Sequence, residues 1–184
     1  MKSAIAAVFF GLTTLAPLTA AAQNVTPDCV SAGPGADFCT QAQYNRVDQG
    51  QTEGISYWLD AQGYLAKVVV QPGPTRPAES AVIESRILSM VSQQANHVGR
   101  AFEFSDLSSA RAGGARFGTI SYALADKTGR GQPVLHSYLA VEGVIVQVIS
   151  QPAVNGAPRD AEALTLAHHR ALEAIELTNR DPAA

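Results

Sequence analysis

Between Phe117 and Ser150 the chain carries apolar side chains on both faces of successive extended segments, and this restricts the fold more than any other feature. In the first segment, 117–125, Phe117, Thr119 and Ala123 line one side and Ile120, Tyr122 and Leu124 the other. In the last, 144–150, Val144, Val146 and Val148 oppose Ile145 and Ile149. Side chains alternate across a strand, so a strand greasy on both sides belongs to a sheet covered on both sides. A middle segment, 133–141, is separated from its neighbours by the loop 126–131 and by Glu142-Gly143, a two-residue turn whose second position accepts φ > 0. Such short connections make the sheet an antiparallel meander.

The rest of the chain supplies the cover. The runs 55–59 and 64–70 flank Asp60-Ala61-Gln62-Gly63 and predict a hairpin, with Gly63 free to take φ > 0. Pro72, Pro74 and Pro77 then end the pattern. Helical spacing follows over 79–94, gathering Ile83, Ile87, Met90, Val91 and Gln94 near one face, with a stop at 96–99. The run 100–104 reads as a strand and 105–114 as a Ser- and Gly-rich connection. A final helix begins near Asp160, behind Pro158, with Leu164, Ala167, Ala171, Leu172 and Ile175 as its apolar stripe. The expected order is β-β-α-β-β-β-β-α: an α+β, three-layer α/β/α sandwich with a mostly antiparallel sheet, occupying 54–178 as one domain ahead of a frayed tail, 179–184.

The N-terminus predicts where the protein works. Lys2, an apolar run over 4–15 and Ala20-Ala21-Ala22 before Gln23 have the layout of a secretory signal peptide, 1–22, cleaved before Gln23. The apolar run is shorter than the roughly 20 residues a membrane-spanning helix needs, so no stable membrane insertion is expected after cleavage. A periplasmic or secreted protein is the expected product. Lys2 is the one charge lost, which leaves 12 basic and 16 acidic residues, a net −4. A mild negative charge without a basic block is the wrong footprint for a nucleic-acid or anionic-membrane binder.

Residues 23–53 form a polar lead-in that holds both cysteines, Cys29 and Cys39. An even pair in an oxidising compartment reads first as a disulfide, and Gly33-Pro34-Gly35 between them lets the chain double back. Closing so small a loop is worth about 3 kcal/mol in the chain-entropy picture. A redox-active or metal-binding pair is the rival reading; redox catalysis prefers two intervening residues, and nine intervene here.

No catalytic signature, cofactor motif or metal-ligand spacing stands out. His168 and His169 are adjacent on a helix, so their side chains diverge by about 100° and cannot share one ion. Either would have to join His136 on the meander, and zinc would still want a third protein ligand. His136 and Asp160 invite a Ser-His-Asp reading, but the Gly-x-Ser-x-Gly elbow is missing. Two candidate interaction surfaces remain. Tyr57, Trp58 and Tyr64 on the first hairpin form either an exposed recognition patch or a core edge. Arg111 and Arg116 flank Gly113-Gly114 and suit either an acidic partner or a solvated loop.

The element order, with Gly118-Thr119-Ile120-Ser121-Tyr122, then Gly143-Val144-Ile145-Val146-Gln147-Val148, then the helix ending Ala171-Leu172-Glu173-Ala174-Ile175, resembles the PsbP-like fold, which includes DcrB-like periplasmic proteins. The resemblance spans Gly54 to Leu177. It implies an accessory or binding role and supplies no active site to carry over. The expected function is that of an exported, soluble, non-catalytic accessory or binding protein whose partner is another envelope protein. The alternatives are a small-molecule or lipid carrier, or a periplasmic hydrolase or metalloprotein without a familiar motif.

Overall fold

The computed structural model describes residues 28–40, 43–47, 52–76, 79–97, 107–112, 115–125, 131–141, 143–153 and 160–178. The expected signal segment 1–22, the expected strand 100–104 and the tail 179–184 lie outside these residues. Among them the chain forms β1 (Asp28–Gly33), β2 (Ala36–Thr40), β3 (Tyr44–Arg46), β4 (Ile55–Asp60), β5 (Tyr64–Pro72), α1 (Ser80–His97), β6 (Leu107–Ala112), β7 (Ala115–Ala125), β8 (Gly131–Val141), β9 (Val144–Pro152), α2 (Ala161–Glu173) and β10 (Ile175–Leu177). No helix among the described residues is long and apolar enough to cross a membrane.

Seven strands make one antiparallel sheet in the order β3-β4-β5-β9-β8-β7-β6. The hairpins predicted from turn chemistry are present, and Gly63 and Gly143 take φ of 87° and 82° in their turns. After β5 the chain crosses by α1 to the far edge, and the meander β6-β7-β8-β9 walks back until β9 pairs with β5 from Tyr64↔Pro152 to Pro72↔Val144.

Both faces are covered, as the two-sided apolar pattern requires. On one face Ile87 and Val91 of α1 pack on Ile120 and Tyr138, with Ile83, Leu88, Tyr122 and Ile145 at the margin. On the other, Ala171 and Leu172 of α2 join Val68, Val70, Phe117, Leu139, Val146 and Val148 in the main core. Asp160 caps α2, its side chain accepting from Glu162 N at 2.9 Å. Met90, counted on the buried stripe of α1, is exposed instead; Ile83, Ile87 and Val91, spaced by four, make a complete seam without it.

Three regions differ from the sequence reading. The connection expected over 105–114 contains β6, which pairs with β7 from Leu107↔Ile120 to Ala112↔Ala115; its Ser- and Ala-rich composition hides an edge strand. Ile175, read as helical, begins β10, although it is buried in the main core as expected of an apolar-stripe residue. Within the expected polar lead-in, β1 and β2 form a hairpin that joins β10 in a second, three-stranded sheet. This small sheet extends the α2 layer. Its Ala32, Ala36 and Phe38 are buried with Trp58 and Val70, and a Cβ on Gly33 would stand 2.7 Å from that of Val70. Small residues and Gly let β1 lie close on β5, which is why the segment looks polar in sequence yet closes the core.

The opposed helices make a direct test. Ile87→Ala and Leu172→Ala should each cost about 2–5 kcal/mol through lost burial and cavity formation. Because a sheet separates them, the double variant should match the sum to within about 0.5 kcal/mol in denaturant unfolding. A larger coupling would put the two helices on one face.

Candidate functional site

α2 carries two different chemistries on its two sides, one sealed and one open. The sealed side centres on His168. Its Nε2 lies 2.7 Å from Ser137 Oγ and its Nδ1 2.8 Å from Ser150 Oγ, and Ser137 Oγ continues to Thr119 Oγ1 at 2.6 Å. Strand alternation puts Thr119, Ser137 and Ser150 on the same face of β7, β8 and β9, so the imidazole is pinned over the sheet centre. Burial lowers its pKa to about 3, so the ring is neutral, donating from one nitrogen and accepting at the other. A Ser–His pair at this distance has the geometry of a nucleophile and base. Ser137 is 0% exposed and His168 1%, however, so no substrate reaches them. The network clamps α2 to the sheet.

His136 sits one residue before Ser137 and therefore on the opposite, α1-covered face. Its Nε2 donates to Gln147 Oε1 at 3.1 Å, leaving Nδ1 buried with no hydrogen-bond partner among the described residues. Burial lowers its pKa to about 4. Because the sheet lies between them, His136 and His168 cannot share an ion. Asp160, the third residue of the Ser-His-Asp reading, is a helix cap.

The open side is a pair of adjoining clefts where β2 and β3 meet α2. One, of about 310 Å³, is lined by Cys39, Thr40, Gln43, Tyr44, His169, Arg170, Glu173 and Ala174. The other, of about 280 Å³, is lined by Gln43, Asp60, Ala61, Gln62 and Arg170. Arg170 divides them, its Nη2 donating to Asp60 Oδ2 at 3.0 Å and to Gln62 Oε1 at 3.2 Å. Asp60 is buried in the β4–β5 turn, and its Oδ1 also accepts from the amides of Gln62 and Tyr64 at 2.9 and 2.8 Å. Tyr44 braces the other wall. Its hydroxyl donates to Ala167 O at 2.9 Å, and desolvation with Asp60 nearby pushes its pKa to about 12, so it stays a donor. Arginine, carboxylate, amide and phenol are thus preorganised around an opening rimmed by exposed Gln43, His169 and Glu173.

Of the residues singled out in the sequence, Cys39 and His169 line the first cleft and the others fall elsewhere. Trp58 and Tyr64 are 3% and 2% exposed, so they are core side chains and not a recognition patch. Trp58 stacks on Phe38 with centroids 4.4 Å apart, and its indole donates to Ser56 Oγ. Tyr57 stays half-exposed on the other face of β4, with Lys67 Nζ 5.9 Å from its ring centroid. Arg111 and Arg116 come directly opposite each other across β6 and β7 and are not among the residues that line the two clefts. Cys29 and Cys39 form a disulfide between register partners of β1 and β2. Asp60, Tyr44 and Arg170 carried no site signal, because the Arg170–Asp60 pair spans 110 residues. The nearest clue was an Asp opening the predicted hairpin turn.

This architecture defines the class: an α+β sandwich with the PsbP-like fold. Among solved structures it is similar to the solution structure of cyanobacterial PsbP (CyanoP) from Synechocystis sp. PCC 6803, with a TM-score of 0.54 and 13% identity over 83% of this chain and 92% of that one. A crystal structure from Bacteroides thetaiotaomicron VPI-5482 superposes with a TM-score of 0.51 and 11% identity, covering 84% of this chain and 49% of that one, so this chain spans about half its length. LpqN of Mycobacterium tuberculosis, described as involved in cell envelope biogenesis, has a TM-score of 0.49 at 14% identity over 79% of this chain and 84% of that one. No family model and no curated protein sequence matches the chain. At these identities the likeness is one of fold.

Proposed function

We propose that the protein is an exported, non-catalytic accessory or binding protein of the bacterial cell envelope that meets another envelope protein through the clefts beside α2. The observation that carries this reading is how the polar groups are distributed. The Ser137–His168–Ser150 chain, which has catalytic geometry, is sealed, whereas the accessible groups are held in fixed pairs around open clefts. Groups held in this way suit recognition of a polar partner surface. The Cys29–Cys39 bridge suits an oxidising compartment.

A photo-crosslinking amino acid at Gln43, on the cleft rim, is the test. In intact envelopes it should trap one dominant protein partner, and the same probe at Arg86, on the exposed side of α1, should not. Equal trapping from both positions would overturn the cleft assignment, and no trapping from either would overturn the accessory reading. A second reading, a small-molecule carrier, draws support from the cleft volume, which lies at the small end of the roughly 300–1,000 Å³ of ligand pockets. It predicts a raised melting temperature with envelope metabolite extract, lost in Arg170→Ala.

A further inference from the structure

Two cysteine sulfurs and one carboxylate oxygen converge on the outer face of the small sheet. β1 and β2 are in register at Cys29↔Cys39, and β10 flanks the other side of β2 with Glu176 opposite Asp37. Phe38 points into the core, so its neighbours Asp37 and Cys39 point out. Glu176 is exposed beside buried Ile175 and brings Oε2 to 3.2 Å from Cys39 Sγ. The two sulfurs and the carboxylate all lie within 4.8 Å of one another. In the oxidised protein the sulfurs are bonded to each other and offer nothing to a cation.

We infer that in the dithiol state Cys29, Cys39 and Glu176 form a binding site for one thiophilic divalent cation of the zinc type. That state exists before the bridge forms, and again after exchange with a dithiol reductant. In the exchange the reductant gives two electrons, the protein S–S bond becomes two thiols, and the reductant leaves as its own disulfide. The cation then replaces both thiol protons, forming two metal–sulfur bonds and releasing two protons, with no change in its oxidation state.

The geometry suits this chemistry. Tetrahedral zinc, with bonds of about 2.3 Å to sulfur and about 2.0–2.2 Å to oxygen, sets its donors roughly 3.5–3.8 Å apart. Donors already within 4.8 Å on three adjacent strands reach that spacing by side-chain rotation, because the ladders of β2 hold the backbones. Two thiolates favour zinc or cadmium over magnesium or calcium. The carboxylate repels thiolates when the site is empty and completes the ligand set when a cation is present. Three protein ligands leave a fourth, outward position to water or to a donor from a partner. Metal and disulfide are then mutually exclusive cross-links between β1 and β2.

Titration with Cd²⁺ of protein reduced by a phosphine, then freed of the reductant without oxygen, tests the inference. One ion per chain should bind, with a thiolate–cadmium charge-transfer band and release of two protons; oxidised protein should show no band. Cys39→Ser should abolish the band. Glu176→Gln keeps both thiols and should weaken binding by about tenfold or more, since even indirect metal partners are worth that much. Glu162→Gln, exposed in the first turn of α2, should bind like the parent. Absence of a band in the reduced protein, a complex of two chains sharing one ion, or undiminished affinity in Glu176→Gln would each overturn the proposal.

Discussion

Acidification below pH 6.5 is expected to unfold this protein steeply, and two buried histidines set the slope. Their folded pKa values are lowered from 6.5 to about 4 for His136 and about 3 for His168, mainly by desolvation. Between those values and 6.5 the unfolded chain binds protons that the folded chain refuses, so stability falls as pH falls. The contribution is complete above pH 6.5 and gone once pH has dropped through the folded values. Each histidine costs up to about 1.4 kcal/mol per pH unit over that window, a large fraction of the stability of a typical domain. Urea midpoints at pH 7, 6, 5 and 4.5 should show the decline. His168→Gln should start lower, having lost the Ser137 and Ser150 bonds, yet lose less per pH unit. Parallel slopes for the parent and this variant would refute the assignment.

Phe38→Ala should be among the most damaging single truncations in the chain, at about 3–5 kcal/mol. Phe38 is fully buried at the centre of the small sheet, stacked on Trp58 and edge-on to Tyr44 with centroids 5.4 Å apart. Removing the ring leaves a cavity where the two sheets meet and loosens Tyr44, which carries one wall of the cleft. Equilibrium unfolding measures the loss, and cleft crosslinking from Gln43 should weaken in parallel. A cost below about 1 kcal/mol would mean that β1 and β2 are appended to the domain and do not complete its core.

Much of the fold was legible because its signals are local. The meander's two-sided apolar alternation forced a covered sheet, Gly63 and Gly143 marked tight turns, and Asp160 marked the start of α2. Elements with weak local signal were hidden. β6 is an edge strand of Ser, Ala and Arg, and β1–β2 reads as a polar loop because its core contacts come from small residues and a single phenylalanine. The Trp58 and Tyr64 readings turned on the same gap. Aromatic content was visible, but which face of the hairpin is covered by α2 and the small sheet was not.

The sequence by itself determined the first hairpin, the two helices, the antiparallel meander, the need for a layer on each side of the sheet and the pairing of Cys29 with Cys39, since each follows from local spacing. Only the tertiary structure decided the strand order β3-β4-β5-β9-β8-β7-β6, the second sheet and the placing of His136 and His168 on opposite faces. It also decided the cleft in which Arg170 meets Asp60 across 110 residues. Those outcomes depend on which distant surfaces fill one another best, and that choice leaves no periodicity along the chain.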